Sequence, residues 1–230
     1  MFYGIDYTYI IFVLPALIIA MWASSNVNST FNKYKKVGNR HGYTAHEVAR
    51  KILDINGLYH VKIERVAGHL SDHFDPRTNI VRLSDSTYSS TSVAALGVAA
   101  HEVGHAVQHA TAYMPIKVRN AIVPVVQISS YAAFPLAILG IIFANDVMIV
   151  TGIVLFVAVV LFQLITLPVE FNASRRAIST LSSQAILDSD ELSGAKKVLT
   201  AAALTYVASA AVAIANLLRL LVLAGGRNRD

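Results

Sequence analysis

Between Ala121 and Pro168 the chain carries a single charge, Asp146. A hydrocarbon core about 30 Å thick takes about 20 apolar residues to cross. This run therefore holds two crossings, 121–144 and 147–167, with a tight turn at Asn145 and Asp146. Inside a bilayer every backbone polar group must be paired within its own segment, so the crossings are helices. Two buried helices of a soluble core are the competing reading, but uncharged runs of this length exceed ordinary core helices. Composition agrees. The chain is 55% hydrophobic and 14% charged, against about 25% charged in a soluble domain, and its mean hydropathy is +0.53. It has no cysteine, which excludes disulfides, thiolate metal sites and cysteine nucleophiles.

A first apolar run, Tyr7 to Ala23, is just long enough to cross. No Lys or Arg precedes it, Asp6 does, and no A-x-A site follows Ala23, so a retained anchor fits better than a signal peptide. Pro15 lies mid-segment, where it favours a kink. A last run, Ala201 to Leu223, is Ala-rich and contains Arg219; it either spans or lies against the hairpin. The segments are then an anchor (1–24), a polar region (25–117), a transmembrane hairpin (118–168), a second polar stretch (169–200) and a C-terminal apolar helix with its tail (201–230).

The polar region has clear local signals. Thr44 and Glu47 form a capping box for a helix that carries apolar Val48, Ile52, Leu53 and Ile55 on one face and ends at Gly57. Tyr59, Val61 and Ile63 alternate with polar residues as a strand. Asp75-Pro76-Arg77-Thr78 has type I turn chemistry, and a second short strand, Ile80 to Leu83, follows. Ser90 or Thr91 then caps a helix running to about Tyr113. Asp188 and Glu191 mark another helix start.

The chemistry lies in the long helix. His101 and His105 are at i and i+4, on one face and about 5–6 Å apart at Cβ. That spacing lets two imidazoles share one Zn²⁺. Glu102 lies about 100° round the helix, placed to act as general base on water activated at the metal. His109 continues the series but lies about 12 Å along the axis from His101. It is expected behind the ligands or at the surface. A catalytic zinc needs a third protein ligand and an open position. Glu170 is the strongest candidate, since two crossings separate it from His105 and return the chain to the same membrane side. His69, His73, Asp72 and Asp75 are the rivals, and Asp72 is a candidate to orient a ligand histidine.

The segments Val98–Gln108, Asp72–Arg77, Leu167–Ala177 and Ala202–Val207 together resemble the YugP-type bacterial neutral zinc metallopeptidases, over residues 25 to 215 or so. More distantly the chain is similar to gluzincins, among them the membrane heat-shock zinc endopeptidases and the CAAX prenyl proteases. There the third ligand is the Glu of an E-x-x-x-D motif whose Asp binds a ligand histidine. The resemblance implies Glu170 as third ligand and places Ser174 where those relatives have Asp. A hydroxyl orients an imidazole less firmly than a carboxylate does.

The expected fold is an α-dominated integral membrane protein. It has a zincin-like catalytic core with a small β-hairpin, and three to four transmembrane helices. The expected activity is zinc-dependent endopeptidase, with one Zn²⁺ per chain on His101, His105 and Glu170, and Glu102 as base. A non-proteolytic zinc-containing membrane scaffold or regulator is the alternative; the intact Glu102 speaks against it. A metal transporter fits worse, because the spans hold almost no ionisable groups. The substrate is expected to be a protein or peptide, membrane-associated or unfolded, docked along an edge strand at Asn79, Ile80, Val81, Arg82 and Leu83. The lipid bilayer is a further partner. A homo-oligomer or a regulatory membrane protein is compatible, while nucleic acid is not expected, since no basic block is interleaved with aromatics. Residues 25–117 hold eleven Lys and Arg and 169–200 hold four, whereas the hairpin tip has only Asp146. The positive-inside rule then puts the active site on the cytoplasmic side of a multi-pass plasma-membrane protein. Arg227 and Arg229 count against this if the last segment spans.

Overall fold

The computed structural model describes residues 7–227; Asp6 and Arg229 lie outside the described residues. A π-turn, Tyr9–Val13, leads into α1 (Leu14–Tyr34). It sits next to Pro15, whose missing N–H and ring disturb the preceding turn. Then come α2 (Ala45–Ile55), β1 (Lys62–Val66), β2 (His73–Asp75), β3 (Ile80–Ser84), α3 (Val93–Ala110), α4 (Met114–Ile142), α5 (Asp146–Ser183) and α6 (Ser189–Arg227). Four helices, Tyr9–Tyr34, Met114–Ile142, Asp146–Ser183 and Ser189–Gly226, are long and apolar enough to cross a membrane. The protein is thus an α-dominated membrane protein with a small sheet. The chain divides into two compact units, one of Met1–Ser24, Val118–Leu167 and Thr205–Asp230, the other of Ser25–Lys117 and Pro168–Leu204.

In the first unit small residues let helices approach. A Cβ on Gly152 would stand 2.6 Å from Ala137 N and 2.7 Å from Ala133 O, and one on Gly140 would stand 2.7 Å from Ile149 N. Close backbone approach of this kind is how apolar helices pack in lipid. Arg219, the one cation inside the last apolar run, has its guanidinium 5.4 Å from the Tyr9 ring and 5.2 Å from the Phe134 ring. Its charge is placed over π faces.

In the second unit α3 is the central element. Val93, Leu96, Ala99, Ala100 and Val103 are all buried, against Val48, Ile52 and Leu53 of α2, Val81 and Leu83 of β3, Ala177 and Leu181 of α5, and Leu199 of α6. Thr44 makes the full capping box with Glu47, and Gly57 takes φ +71° just past the helix. The cap of α3 is Ser92, whose hydroxyl accepts from Ala95 N, rather than Ser90 or Thr91. Glu191 accepts from Asp188 N and from Arg40 N, tying the start of α6 to the loop before α2.

The sheet differs from the expected pairing. Its order is β1-β3-β2, with β1 parallel and β2 antiparallel to β3. The strand expected from Tyr59 begins at Lys62, and the hairpin partner of β3 is His73–Asp75, which the sequence signals mark only as turn. Consequently Asn79 to Leu83 is no free edge. Ile80–Leu83 is central, Val81 faces Ile63 on one side and Phe74 on the other, and Asn79 is a φ +54° residue of the turn. The expectation of an exposed strand there fails because β1 returns to β3 in parallel, a pairing no local signal encodes. Asp75 anchors the β2–β3 turn. Its carboxylate accepts from Thr78 Oγ1 (2.8 Å), Arg77 N (2.9 Å) and Arg82 (3.2 Å), which hold its pKa down at about 2.

Candidate metal centre

α3 carries His101 and His105 one turn apart, and α5 carries Glu170 three residues into its share of the second unit. The helices meet closely because residue 104 is glycine: a Cβ there would stand 2.9 Å from Ala173 O and 3.2 Å from Ala173 Cα. Val169, Ala173, Ala177 and Leu181 recur every fourth residue, all buried, and form the face of α5 that packs inward.

Three ligand atoms converge. His101 Nε2 and His105 Nε2 are 3.2 Å apart, and Glu170 Oε2 lies 3.3 Å from the first and 3.6 Å from the second. Ligands at the ~2.0–2.2 Å that zinc prefers stand about 3.3–3.6 Å apart at the tetrahedral angle. The triangle therefore matches one face of a zinc tetrahedron.

The hydrogen bonds behind His105 fix which of its nitrogens is free. Gln108 is fully buried. Its amide nitrogen donates to Val169 O (2.8 Å) and Asn172 Oδ1 (3.0 Å). A carbonyl only accepts, so the amide is oriented with its oxygen toward His105 Nδ1, 3.0 Å away. Nδ1 of His105 therefore carries the proton and Nε2 offers a lone pair. His101 Nδ1 lies 3.1 Å from Ser174 Oγ, a hydroxyl able to accept the Nδ1 proton and so compatible with a free Nε2. Glu170 Oε2 is buried and has no hydrogen-bond partner. With His101 Nε2 deprotonated as well, three electron-rich atoms face one another in a buried place, an arrangement that favours a cation between them. Burial works against a charged His105. The contact with Glu170 and the charges of Glu102 and Glu170 outweigh it, so the pKa of His105 is raised; the pocket as a whole favours positive charge. Among the described residues, these three form the cluster able to hold a metal. Zinc fits the donor set.

The other candidates have different duties. Ser174 does stand behind His101. Asp72 does not orient a histidine: its carboxylate accepts from Ser84 N (2.7 Å), Ser84 Oγ (2.9 Å) and Thr87 Oγ1 (3.2 Å), securing the end of β3. His109 is exposed at the end of α3, its ring 5.9 Å from that of Phe74. His69 packs edge-on to Phe31, and His73 Nδ1 donates to Ser71 O. Glu102 is nearly buried, at 9% exposure. Gln108 was missed by sequence reasoning; its i+3 spacing from His105 was the available signal. Losing such an outer partner costs ~10–100-fold in metal affinity, so Gln108→Leu is expected to lower zinc affinity by about that factor, read by chelator competition.

A family model described as "Putative neutral zinc metallopeptidase" matches residues 9–225. The chain belongs to that family. It is also similar to a curated protein of Bacillus subtilis (strain 168) named "Putative membrane protease YugP", with 47% identity over 223 residues, 96% of this chain and 99% of the relative. No solved structure matches. The resemblance carried by the Asp72, His101 and Glu170 segments thus extends over nearly the whole chain.

Proposed function

We propose that the protein is a membrane-embedded endopeptidase with one zinc per chain, held by His101, His105 and Glu170. The observation that carries this reading is the 3.2–3.6 Å triangle of their ligand atoms with Glu102 one residue from the first ligand. Zinc there would supply Lewis acidity, polarising a peptide carbonyl and acidifying water. Glu102 takes the proton of the attacking water and delivers it to the departing amine. Gln108 holds His105 in the tautomer that leaves Nε2 available, and Ser174 Oγ accepts the Nδ1 proton of His101 to the same end. Gluzincin kinship remains part of this reading, with Ser174 in the orienting place.

Purified protein is expected to contain about one zinc per chain, and His101→Ala or His105→Ala to lose it. Glu170→Gln should weaken retention by more than the ~10–100-fold attached to an outer partner. Elemental analysis decides it: undiminished zinc in both histidine variants would remove the assignment.

We place the second unit on the cytoplasmic side of the plasma membrane, supported by eleven Lys and Arg in 25–117 and four in 169–200. A reporter at Asp146 should then behave as extracytoplasmic and one near Gly38 as cytoplasmic; the reverse pattern would put the site outside. The substrate is proposed to be an extended, locally unfolded protein segment, membrane-associated or not. With β3 central, the strand edge on the α3 side is that of β2, whose Phe74 ring neighbours His109. Main-chain pairing along such an edge gives affinity without demanding sequence.

A further inference from the structure

In the second unit α5 and α6 enclose a groove of about 490 Å³. Arg175 and Lys196 line it, with the hydroxyls of Ser179 and Thr200 and the apolar side chains of Phe171 and Leu199. No carboxylate does. Neither cation has an ion-pair or hydrogen-bond partner among the described residues. Lys196 and Thr200 also border a second groove, of about 610 Å³, with Lys33 and Lys197, again without a carboxylate. Four cations thus border the two grooves, while the carboxylates at the start of α6, Asp188, Asp190 and Glu191, are engaged with Arg40.

The groove opens between α5 and α6, beside the metal centre and not over its three ligand atoms. The face of α5 turned to α3 is that of Val169, Ala173 and Ala177. By the helical period Arg175 and Ile178 point away from it. Ser174 reaches the metal centre, its hydroxyl engaged with His101, and Arg175 and Ser179 also border a smaller cavity beside Gly104 and Val107 of α3. Ser179 and Thr200 remain for a ligand. Position along the helices says where this ligand comes from. Arg175 is eight residues past Leu167, the last of the hairpin's apolar run, a rise of about 12 Å. Lys196 is five residues before Ala201, where the last apolar run begins, a rise of about 8 Å. The polar layer outside the hydrocarbon is about 5–8 Å deep on each side, and long cationic side chains reach back several ångströms.

We propose that this groove binds an anionic phospholipid, its phosphate held between Arg175 and Lys196 and an acyl chain laid over Phe171 and Ile178. The planar guanidinium suits a phosphate bidentately, and the ammonium adds a point charge. The inference stands apart from peptidase activity, and the experiment needs none.

The test is native mass spectrometry of the full chain, released from micelles containing equal phosphatidylglycerol and phosphatidylcholine. The wild-type protein should retain phosphatidylglycerol preferentially. Each cation near an anionic surface is worth about fivefold. Arg175→Gln and Lys196→Gln should each reduce the preference by that factor, and the double variant should approach parity. Arg175→Lys should keep most of it, and Lys51→Gln, elsewhere in the same unit, all of it. Both sites are exposed, and unchanged thermal unfolding of the double variant shows that it folds. An undiminished preference in the double variant overturns the proposal. So does full displacement of the lipid by inorganic phosphate, which would assign the groove to a free anion. Displacement by an acidic unfolded polypeptide would assign it to the substrate instead.

Discussion

Glu102→Gln is expected to end peptide hydrolysis while zinc stays bound. The amide keeps the size and polarity of the side chain but cannot accept the proton that attacking water must lose. General-base removal costs typically ~10²–10⁴-fold, and here the same group also returns the proton to the leaving amine. Glu102 lies outside the triangle of ligand atoms, which is made of His101, His105 and Glu170. Zinc content should therefore match that of the parent. Measured together, cleavage of an unfolded protein and metal content separate the roles. If Glu102→Gln strips the zinc while Glu170→Gln keeps it, base and ligand have been exchanged. If Glu102→Gln cleaves at the parent rate, the site is no peptidase of this kind. A zinc-bearing scaffold would show neither activity nor any effect of the substitution.

The parts legible in the sequence were those set by local periodicity and by simple counting. Two long apolar helical runs between His105 and Glu170 bring Glu170 back beside α3, and the i, i+4 spacing pairs the imidazoles. Capping chemistry located α2 through Thr44 and Glu47 to within a residue. At α3 it was blurred, because Ser90, Thr91 and Ser92 are all competent caps. Only the tertiary path, with Asn39 N donating to Thr91 O, shows which one is left to close the helix. The sheet was the larger gap. β2 has three residues, too few for any alternation to register, and the parallel pairing of β1 with β3 is non-local. The central strand was consequently taken for an edge. Asp72 misled for a related reason. A carboxylate near the metal motif in sequence suggested a histidine partner, but Ser84 and Thr87 consume its lone pairs. Gln108 is marked in the sequence only by its i+3 spacing from His105, which does not distinguish a partner of the imidazole from any other polar residue of the helix. Its function emerges only once Val169 O is seen to fix its orientation.

The second large effect concerns two glycines of the same helix, which are expected to respond oppositely to the same substitution. Alanine gains about 0.8–1.0 kcal/mol over glycine in a helix interior, so each Gly→Ala change in α3 starts from a favourable term. At Gly97 the added methyl would meet the Cβ of Ala195 at 3.3 Å and Ala195 Cα at 3.6 Å. A shift of a few tenths of an ångström relieves that, and the net effect should be near zero. At Gly104 it would meet the carbonyl oxygen of Ala173 at 2.9 Å and its Cα at 3.2 Å. These are backbone atoms of α5 and cannot rotate aside. Overpacking of this kind costs typically ~1–3 kcal/mol, which outweighs the helix gain. The only relief is for α5 to withdraw from α3, and Glu170 sits one turn before Ala173 on the helix that withdraws. Gly104→Ala is therefore expected to lose stability and zinc together, while Gly97→Ala keeps both. Shortening the neighbour with Ala173→Gly should not rescue it, because the contacts are to main chain. Thermal unfolding and zinc content of the three variants test this. A Gly104→Ala protein that keeps parent zinc affinity would show that the approach of α3 and α5 is not what brings Glu170 to the histidines.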